Sequence, residues 1–273
     1  MLKSNRSVGA LGWKRNSFQG NEDACKLIDA VLGHPAISDV SFVRTFNEGI
    51  NSYTPVKRLF GGIGTDSLLR VNLKGNGVKT NGDRCLPDFL STNPPLKNLD
   101  LRSNQLTDDD ALHIALALQS NTHLKDLNLK KNKLTSNGKD VMHKKTIYGL
   151  RFCWLSVGEA TLNKVSEANH TCRIVGIKLS QKAFMNDGNK SAKWNRGRKL
   201  FSLLRKRHHK GCNIIELESE FTENCMGLVP HVLACVNTYS STYPRKRSKQ
   251  KCLAVIFELV RGWKMPEMYQ FRC

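Results

Sequence analysis

Leucines and other large apolar residues recur along the first half of the chain at short, fixed intervals, with polar residues between them. Residues 96–106 (LKNLDLRSNQL) and 124–134 (LKDLNLKKNKL) share the pattern L-x-x-L-x-L-x-x-N-x-L and begin 28 positions apart. Residues 68–78 follow the same pattern, with valine at two of the apolar positions. A constant period of this length predicts stacked structural repeats rather than a single closed core.

Weaker copies extend the periodicity in both directions. One copy spans residues 8–18 and has Asn16 at the asparagine position, and another spans residues 37–45 and has Thr45 there. One period further forward, the apolar positions fall on Phe152, Leu155 and Val157. The pattern therefore predicts about six repeats over residues 1–157, of which three are clear.

Each repeat combines a strand, a turn and a helix. The L-x-L core alternates with a period of two, which is typical of a short strand with one buried face. The asparagine then turns the chain, and its amide is expected to bond backbone groups that would otherwise be buried without partners. These structural asparagines are Asn16, Asn76, Asn104 and Asn132.

The segments between the strands carry helix signals. Residues 107–124 open with a Thr/Asp N-cap and then place Ala111, Ile114, Ala115 and Leu118 on one face. Residues 22–35 repeat this arrangement. Residues 83–95 contain Pro87, which fits only near the start of a helix, so this helix is predicted to be short.

This 28-residue strand-plus-helix unit resembles the leucine-rich repeat family, and within that family the ribonuclease-inhibitor-like class. The resemblance covers roughly residues 8–157. It implies an α/β fold, a right-handed solenoid shaped as a horseshoe with a parallel β-sheet inside and helices outside. Segments further along are similar to the tail that follows such repeats in many proteins of diatoms and related algae: residues 162–172, 198–207, 228–236 and 257–269.

Residues 158–273 have mainly helical periodicity. A short helix is predicted around Leu162, followed by an irregular stretch up to about Asn189, and further helices at 226–239 and 252–261. Between them, residues 194–207 form an amphipathic helix whose cationic side is expected to be solvated. Because a repeat array leaves the core of its last unit open, we expect residues 158–273 to form a basic, mainly helical capping domain. The opposite edge, at the first repeat, is expected to lack such a cover.

Side chains beside the buried strand positions are expected to face the concave surface of the solenoid. Many of them are basic, which predicts a nearly continuous cationic stripe with aspartates interspersed, Asp39 among them. The hypothesis is a docking face for an acidic protein partner, and the alternative is a solvated lysine-rich face that binds nothing. The predicted partner-binding residues are Lys14, Arg15, Arg44, Arg70, Lys74, Asp100, Arg102, Asp126, Lys130 and Lys131.

The charge of the whole chain keeps a second interpretation open. The formal net charge is +20, and residues 151–273 hold 22 Lys and Arg against 9 Asp and Glu. Such a field favours acidic proteins, nucleic acid or anionic lipid as partners. The basic runs at 196–210 and 243–251 invite a nucleic-acid or nuclear-import interpretation, but no RNA-recognition, zinc-finger or helix-turn-helix signature accompanies them.

The sequence gives little support to catalysis. The nine cysteines are scattered without C-x-x-C spacing, and the histidines near some of them lack a second ligand pair for zinc. We therefore predict a non-enzymatic protein-interaction module without cofactor or metal. A regulator of a small GTPase is the alternative from a different functional class, because repeats of this subtype also occur in GTPase activators. The low cysteine density and the lack of a secretory signal at the start of the chain favour a cytoplasmic or nuclear location.

Overall fold

The computed structural model describes residues 5–46, 53–62, 67–147, 161–177 and 184–210. Strands and helices alternate along these segments. The strands are β1 (Ala10–Lys14), β2 (Asp39–Val43), β3 (Arg70–Asn72), β4 (Asn98–Asp100), β5 (Asp126–Asn128) and β6 (Arg173–Val175). The helices are α1 (Asn21–Leu32), α2 (Tyr53–Gly61), α3 (Cys85–Ser91), α4 (Asp108–Ser120), α5 (Ser136–Ile147), α6 (Leu162–Glu167) and α7 (Ala192–Lys210).

The strands form one parallel sheet in which their order is the order of the chain. Leu99 pairs with Val71 on one side and with Leu127 on the other, so equivalent repeat positions lie side by side. The backbone ladder continues past the strands, because Leu73 N donates to Asp100 O at 2.8 Å and Leu101 N donates to Asn128 O at 2.9 Å. The prediction of an α/β leucine-rich-repeat solenoid is confirmed.

One face of the sheet is covered by apolar side chains, as the L-x-L pattern predicts. The three leucines or valines of each clear repeat are fully buried, and helices α1 to α4 contribute their apolar faces to the same cluster. At the first repeat the column becomes aromatic: the Trp13 and Phe18 rings stack at 5.5 Å, and Phe18 lies 6.1 Å from Phe46. Burial of such side chains stabilises each by about 2 kcal/mol, so stacking of repeats supplies most of the stability.

The predicted helices have the bounds that their local signals require. Helix α4 begins with a capping box, in which Thr107 and Asp110 satisfy each other's backbone N–H groups. Its four predicted core residues, Ala111 to Leu118, are buried. Helix α3 has only seven residues and contains Pro87 in its first turn, as predicted. Helix α1 buries Ala24, Ile28 and Val31.

The sixth strand comes from a part of the chain where the pattern predicts irregular structure. Both sides of β5 are occupied, by β4 and by β6, and β6 begins 47 residues after Asp126. In the sheet, β6 therefore occupies the place next to β5. The copy of the pattern predicted at Phe152, Leu155 and Val157 lies outside the described segments. The leucine pattern did not predict β6, because Gly176 stands where the three clear repeats have a leucine.

The chain divides into two compact units. The described part of the first contains all six strands and helices α1 to α5, together with residues 168–177 and 186–189; the second contains α6 and α7. The predicted domain boundary at residue 157 falls between described segments and stays a prediction. The helices expected at 226–239 and 252–261 also lie outside the description.

Helix α7 corrects one expectation about the basic side of residues 194–207. Lys199 is fully buried and Arg207 is 4% exposed, so this side is not simply solvated. Leu200 and Leu204 are also fully buried, which confirms the predicted apolar stripe. The physical reason is that a buried charged group needs interaction partners, and both Lys199 and Arg207 have them.

Candidate functional site

The face of the sheet opposite the core forms a groove of about 550 Å³. It is lined by the strand residues that alternate with the buried ones, so every second residue of each strand faces it. In register across the sheet they form a first row and a second row, both on the floor of the groove. The first row is Ala10, Asp39, Arg70, Asn98, Asp126 and Arg173, and the second is Gly12, Ser41, Asn72, Asp100, Asn128 and Val175.

Charges in the first row are neutralised between neighbouring strands. Arg70 Nη1 lies 2.6 Å from Asp39 Oδ2, and Arg173 Nε lies 2.5 Å from Asp126 Oδ1. Asn98 donates to the other oxygen of Asp126 at 3.3 Å. Of the predicted partner-binding residues, Arg70 and Asp126 are therefore engaged within the sheet. Arg173 belongs to the same row but was not predicted, because its strand lies outside the 28-residue period.

The second row bonds to the chain that follows it. The side-chain oxygens of Asn72, Asp100 and Asn128 each accept the backbone N–H two residues further on, at 3.1, 3.0 and 3.2 Å. Asp100 also forms an ion pair with Arg102, whose Nε lies 3.0 Å from Asp100 Oδ2. Ser41 Oγ is buried and has no hydrogen-bond partner within the described segments.

A third row, which we call the rim, lies at the carboxyl ends of the first five strands, at the last residue of β1 and β2 and two residues after β3, β4 and β5. It consists of Lys14, Val43, Lys74, Arg102 and Lys130. The backbone ladder passes through it, because Arg44 N donates to Lys74 O, Gly75 N to Arg102 O and Ser103 N to Lys130 O. The next residue of each of the first five repeats has a left-handed backbone, with φ between 52° and 74°: Arg15, Arg44, Gly75, Ser103 and Lys131. This conformation turns the chain out of the sheet at the same point in each repeat.

The distribution of charge along the rim differs from the predicted continuous stripe. Val43 interrupts it in the second repeat, and Arg102 is paired with Asp100 in the fourth. Lys14, Lys74 and Lys130 make no ion pair with any described residue, and the same holds for Arg15, Arg44 and Lys131 at the turn. The unneutralised rim cations therefore lie on alternate strands.

Asparagine side chains tie the turns of adjacent repeats together. Asn104 accepts from Asn76 N and Val78 N at 3.1 Å, and it donates to Leu73 O and Leu101 O. Asn76 makes equivalent bonds: it accepts from Thr45 N and Phe46 N, and it donates to Phe42 O and Leu73 O. Asn132 accepts from Leu106 N and donates to Leu101 O and Leu129 O. The side chain of Asn16, in contrast, is exposed and makes no such bond with the described residues.

A second set of asparagines, which the pattern did not single out, precedes the strands. Asn121 and Asn169 each accept backbone N–H groups two and three residues ahead, and Asn169 donates to Leu118 O at 2.7 Å. Their surroundings, NTHL at 121–124 and NHTC at 169–172, are similar, so Cys172 occupies the place of a core leucine. This similarity is the signal that could have located the sixth repeat.

The convex side has a polar cluster that links α2 to the start of α3. Tyr53 donates to Asp83 at 2.7 Å, and Lys57 Nζ lies 2.6 Å from the other oxygen of that carboxylate. Together with the backbone N–H of Cys85, these bonds lower the pKa of Asp83 to about 2, the bond from Lys57 having the largest effect. Burial, and to a lesser extent Asp83, raises the pKa of the Cys85 thiol. A thiol with a raised pKa is a poor nucleophile, so the cluster fits a structural role.

Chemistry elsewhere in the described segments is limited. Those segments contain no group of three or more His, Cys, Asp or Glu residues that could hold a metal ion. None of the helices in the same segments is both long enough and apolar enough to span a membrane. Cys172 is buried, and the histidines at 208, 209 and 231 with their neighbouring cysteines have no described side chains.

Comparison with known proteins agrees with the geometry. A family model described as Leucine Rich repeat matches residues 92–115 and 120–138. These two matches include β4, the first eight residues of α4 and β5. No curated protein matches the chain. Residues 92–115 and 120–138 are thus similar in sequence to leucine-rich repeats.

Proposed function

We propose that the protein is a non-catalytic interaction module that binds an acidic protein partner along the rim of its groove. Leucine-rich-repeat solenoids generally present an extended concave face to other proteins. The observation that supports an acidic partner is the set of rim and turn cations without a neutralising partner among the described residues, Lys14, Lys74 and Lys130 above all.

Arginines and lysines of the groove differ in whether they form ion pairs. Every arginine that lies on a strand or on the rim, at 70, 102 and 173, is paired with an aspartate. The rim lysines beside them make no ion pair with a described residue, and the three aspartates of the groove are all engaged by these arginines. Exposed ion pairs are worth up to about 1 kcal/mol each, so leaving three lysines unpaired keeps that interaction available to a partner.

Charge reversal tests the proposal. The variant Lys14→Glu, Lys74→Glu, Lys130→Glu changes the rim, and the control Lys79→Glu, Lys97→Glu, Lys193→Glu changes net charge equally at exposed positions outside the rim. Affinity purification from the native cell, with mass spectrometry of retained proteins, compares both with the wild type. We expect the rim variant to lose a set of acidic proteins that the control retains. Equal retention of acidic proteins by all three would refute the rim as the binding surface.

The net charge of +20 supports nucleic acid as a second candidate partner. Binding of this kind loses affinity steeply with salt because cations on the protein displace condensed counterions. Titration of labelled single- and double-stranded RNA and DNA between 50 and 200 mM salt separates the candidates. A steep loss that occurs equally in the rim variant and the control would favour nucleic acid held by the charge of the whole chain. Regulation of a small GTPase stays a prediction, since no described residue distinguishes it.

A further inference from the structure

At the carboxyl ends of two strands of the groove, the last strand residue and the two residues that follow it have the same sequence. Asn-Leu-Lys occurs at 72–74 and again at 128–130, and the strand between them has Asp-Leu-Arg at 100–102. In all three segments the leucine is buried in the core, which places the flanking residues on the groove side. The two Asn-Leu-Lys segments are therefore equivalent sites on alternate strands, β3 and β5.

The orientation of each asparagine is fixed by the backbone. Asn72 Oδ1 accepts from Lys74 N at 3.1 Å, and Asn128 Oδ1 accepts from Lys130 N at 3.2 Å. Because a backbone N–H can only donate, the oxygen of each amide must face it. The Nδ2 group then points away from this bond, and neither Nδ2 donates to a described residue. Both asparagines line the groove.

Each Asn-Leu-Lys segment thus offers two kinds of unused donor, a neutral amide and a charged ammonium. Lys74 and Lys130 form no ion pair within the described segments. A carboxylate suits this pair of donors, because its two oxygens can accept from both and its charge neutralises the ammonium. The Asp-Leu-Arg segment offers no such combination, because Asp100 binds both the backbone and the guanidinium of Arg102.

The distance between the two segments determines how far apart the acidic residues of the partner must be. They are separated by two strand spacings, which is about 10 Å. A chain in the polyproline II conformation has three residues per turn and rises about 3.1 Å per residue, so side chains three residues apart share a face at about 9 Å. Two acidic residues at that spacing would reach both segments at once.

We propose that the segments 72–74 and 128–130 are paired carboxylate sites, and that they bind one extended segment of the partner in which acidic residues stand three positions apart. This inference rests on the proposed function and makes it more specific, from an acidic protein to a spacing of acidic residues. The paired aspartate on the strand between them excludes a third carboxylate at the intermediate position.

Two octapeptides of identical composition test the spacing. PPEPPEPP has its glutamates three positions apart in a polyproline II host, and PPPEEPPP has them adjacent. Binding of fluorescently labelled peptides to the full chain is measured by anisotropy at 50 mM salt. We expect PPEPPEPP to bind about fivefold more tightly than PPPEEPPP, the ratio that one additional exposed ion pair provides.

A pair of nearly isosteric substitutions tests the sites themselves. Asn72→Asp with Asn128→Asp keeps the bond to the backbone N–H but replaces each donor with a second acceptor that can neutralise the nearby lysine, as Asp100 does for Arg102. The control, Gln119→Glu with Asn137→Asp, makes the same change in net charge at exposed positions on α4 and α5. We expect the first variant to lose the preference for PPEPPEPP and the control to keep it.

The outcomes separate this inference from the proposed function. Equal binding of the two peptides, abolished in the charge-reversed rim variant, would overturn the paired sites and leave an acidic partner supported. Retention of the spacing preference by the Asn72→Asp, Asn128→Asp variant would overturn the assignment to these asparagines. Failure of both peptides to bind would also overturn the paired sites, while the proposed function would still be decided by its own purification experiment.

Discussion

Replacement of Asn104 by alanine should be among the most destabilising polar substitutions in the solenoid. The side chain is 6% exposed and makes four hydrogen bonds, which join its own turn to the turn of the preceding repeat. Stability of a repeat array is a sum of repeat terms and interface terms between neighbours. The substitution removes a bond network that contributes to both kinds of term.

The size of the expected loss of stability depends on which hydrogen bonds the four partners of Asn104 keep. Leu73 O also accepts from Asn76, and Leu101 O also accepts from Asn132, so both carbonyls keep one donor. Asn76 N and Val78 N, however, lose the only hydrogen-bond acceptor that the described residues give them. An unsatisfied buried group costs about 1 to 3 kcal/mol, and loss of a bond that leaves its carbonyl satisfied costs less. The expected loss is therefore roughly 3 to 4 kcal/mol.

Urea unfolding followed by far-UV circular dichroism measures this loss against two matched variants. Asn132→Ala removes three such bonds and should cost roughly 2 kcal/mol, and Asn16→Ala, at an exposed position, should change stability by less than about 0.5 kcal/mol. Because a repeat array need not unfold in a single two-state transition, the unfolding midpoints of the variants are compared with one common m-value. If Asn104→Ala and Asn16→Ala unfold at the same midpoint, the asparagine network does not stabilise the repeats and the reasoning fails.

Three further substitutions have expected outcomes that the same unfolding assay can check. Asp83 has its pKa lowered from 3.8 to about 2, so its bonds with Lys57 and its other donors stabilise the fold above about pH 4, and this contribution disappears as the pH falls toward 2. Asp83→Asn should remove that acid dependence, which solvent screening limits to about 1 kcal/mol because the side chain is 28% exposed; an unchanged pH profile would contradict it. Gly176→Ala should cost at least about 2 kcal/mol, because φ is +111° and a Cβ would lie 2.6 Å from a backbone nitrogen, whereas Gly9→Ala meets only ordinary contacts and serves as its control. Asp110→Ala should cost roughly 2 to 3 kcal/mol, because this buried carboxylate caps α4 and also accepts the hydroxyl of a threonine in the preceding repeat, and a loss below about 0.5 kcal/mol would refute that role.

Much of the fold could be predicted from the sequence, because the repeat fixes local structure and packing together. The leucine positions determine both the strand and the face that it buries, so β3, β4 and β5 follow directly from the pattern. The same holds for α4, whose capping box and apolar face are encoded within a dozen residues, and for the apolar face of α1. Even the weak copy at residues 37–45 forms a five-residue strand, since register with its neighbours compensates for the missing asparagine.

The sixth strand could not be predicted in the same way, because non-local bonds position it. Asn169 and Asn186 hold the chain before β6 with bonds to Leu118 O and Cys172 O. These bonds depend on residues brought together by the fold, and a fixed period cannot reveal them across a separation of 47 residues. The ion pair between Arg173 and Asp126 was missed for the same reason.

The groove shows a comparable division between what spacing can and cannot predict. Which side chains face it follows from the alternation of each strand, but which charges remain unneutralised depends on pairs such as Asp39 with Arg70, 31 residues apart. A rule based on counting lysines and arginines predicts a continuous stripe. The structure instead pairs the arginines at 70, 102 and 173 with aspartates and leaves the rim lysines without an ion pair among the described residues.

Alternate placement of the rim lysines also reduces the electrostatic cost of keeping them unpaired. Cations on adjacent strands, about 5 Å apart, would repel each other by roughly 1 kcal/mol in water. At two strand spacings the separation is about 10 Å, which is close to the Debye length at 0.1 M salt, so the repulsion is largely screened. An unpaired Arg102 would place a further cation on the strand between Lys74 and Lys130. Its ion pair with Asp100 neutralises that charge. The aspartate between Lys74 and Lys130 therefore allows the rim to keep its positive charge without destabilising the sheet.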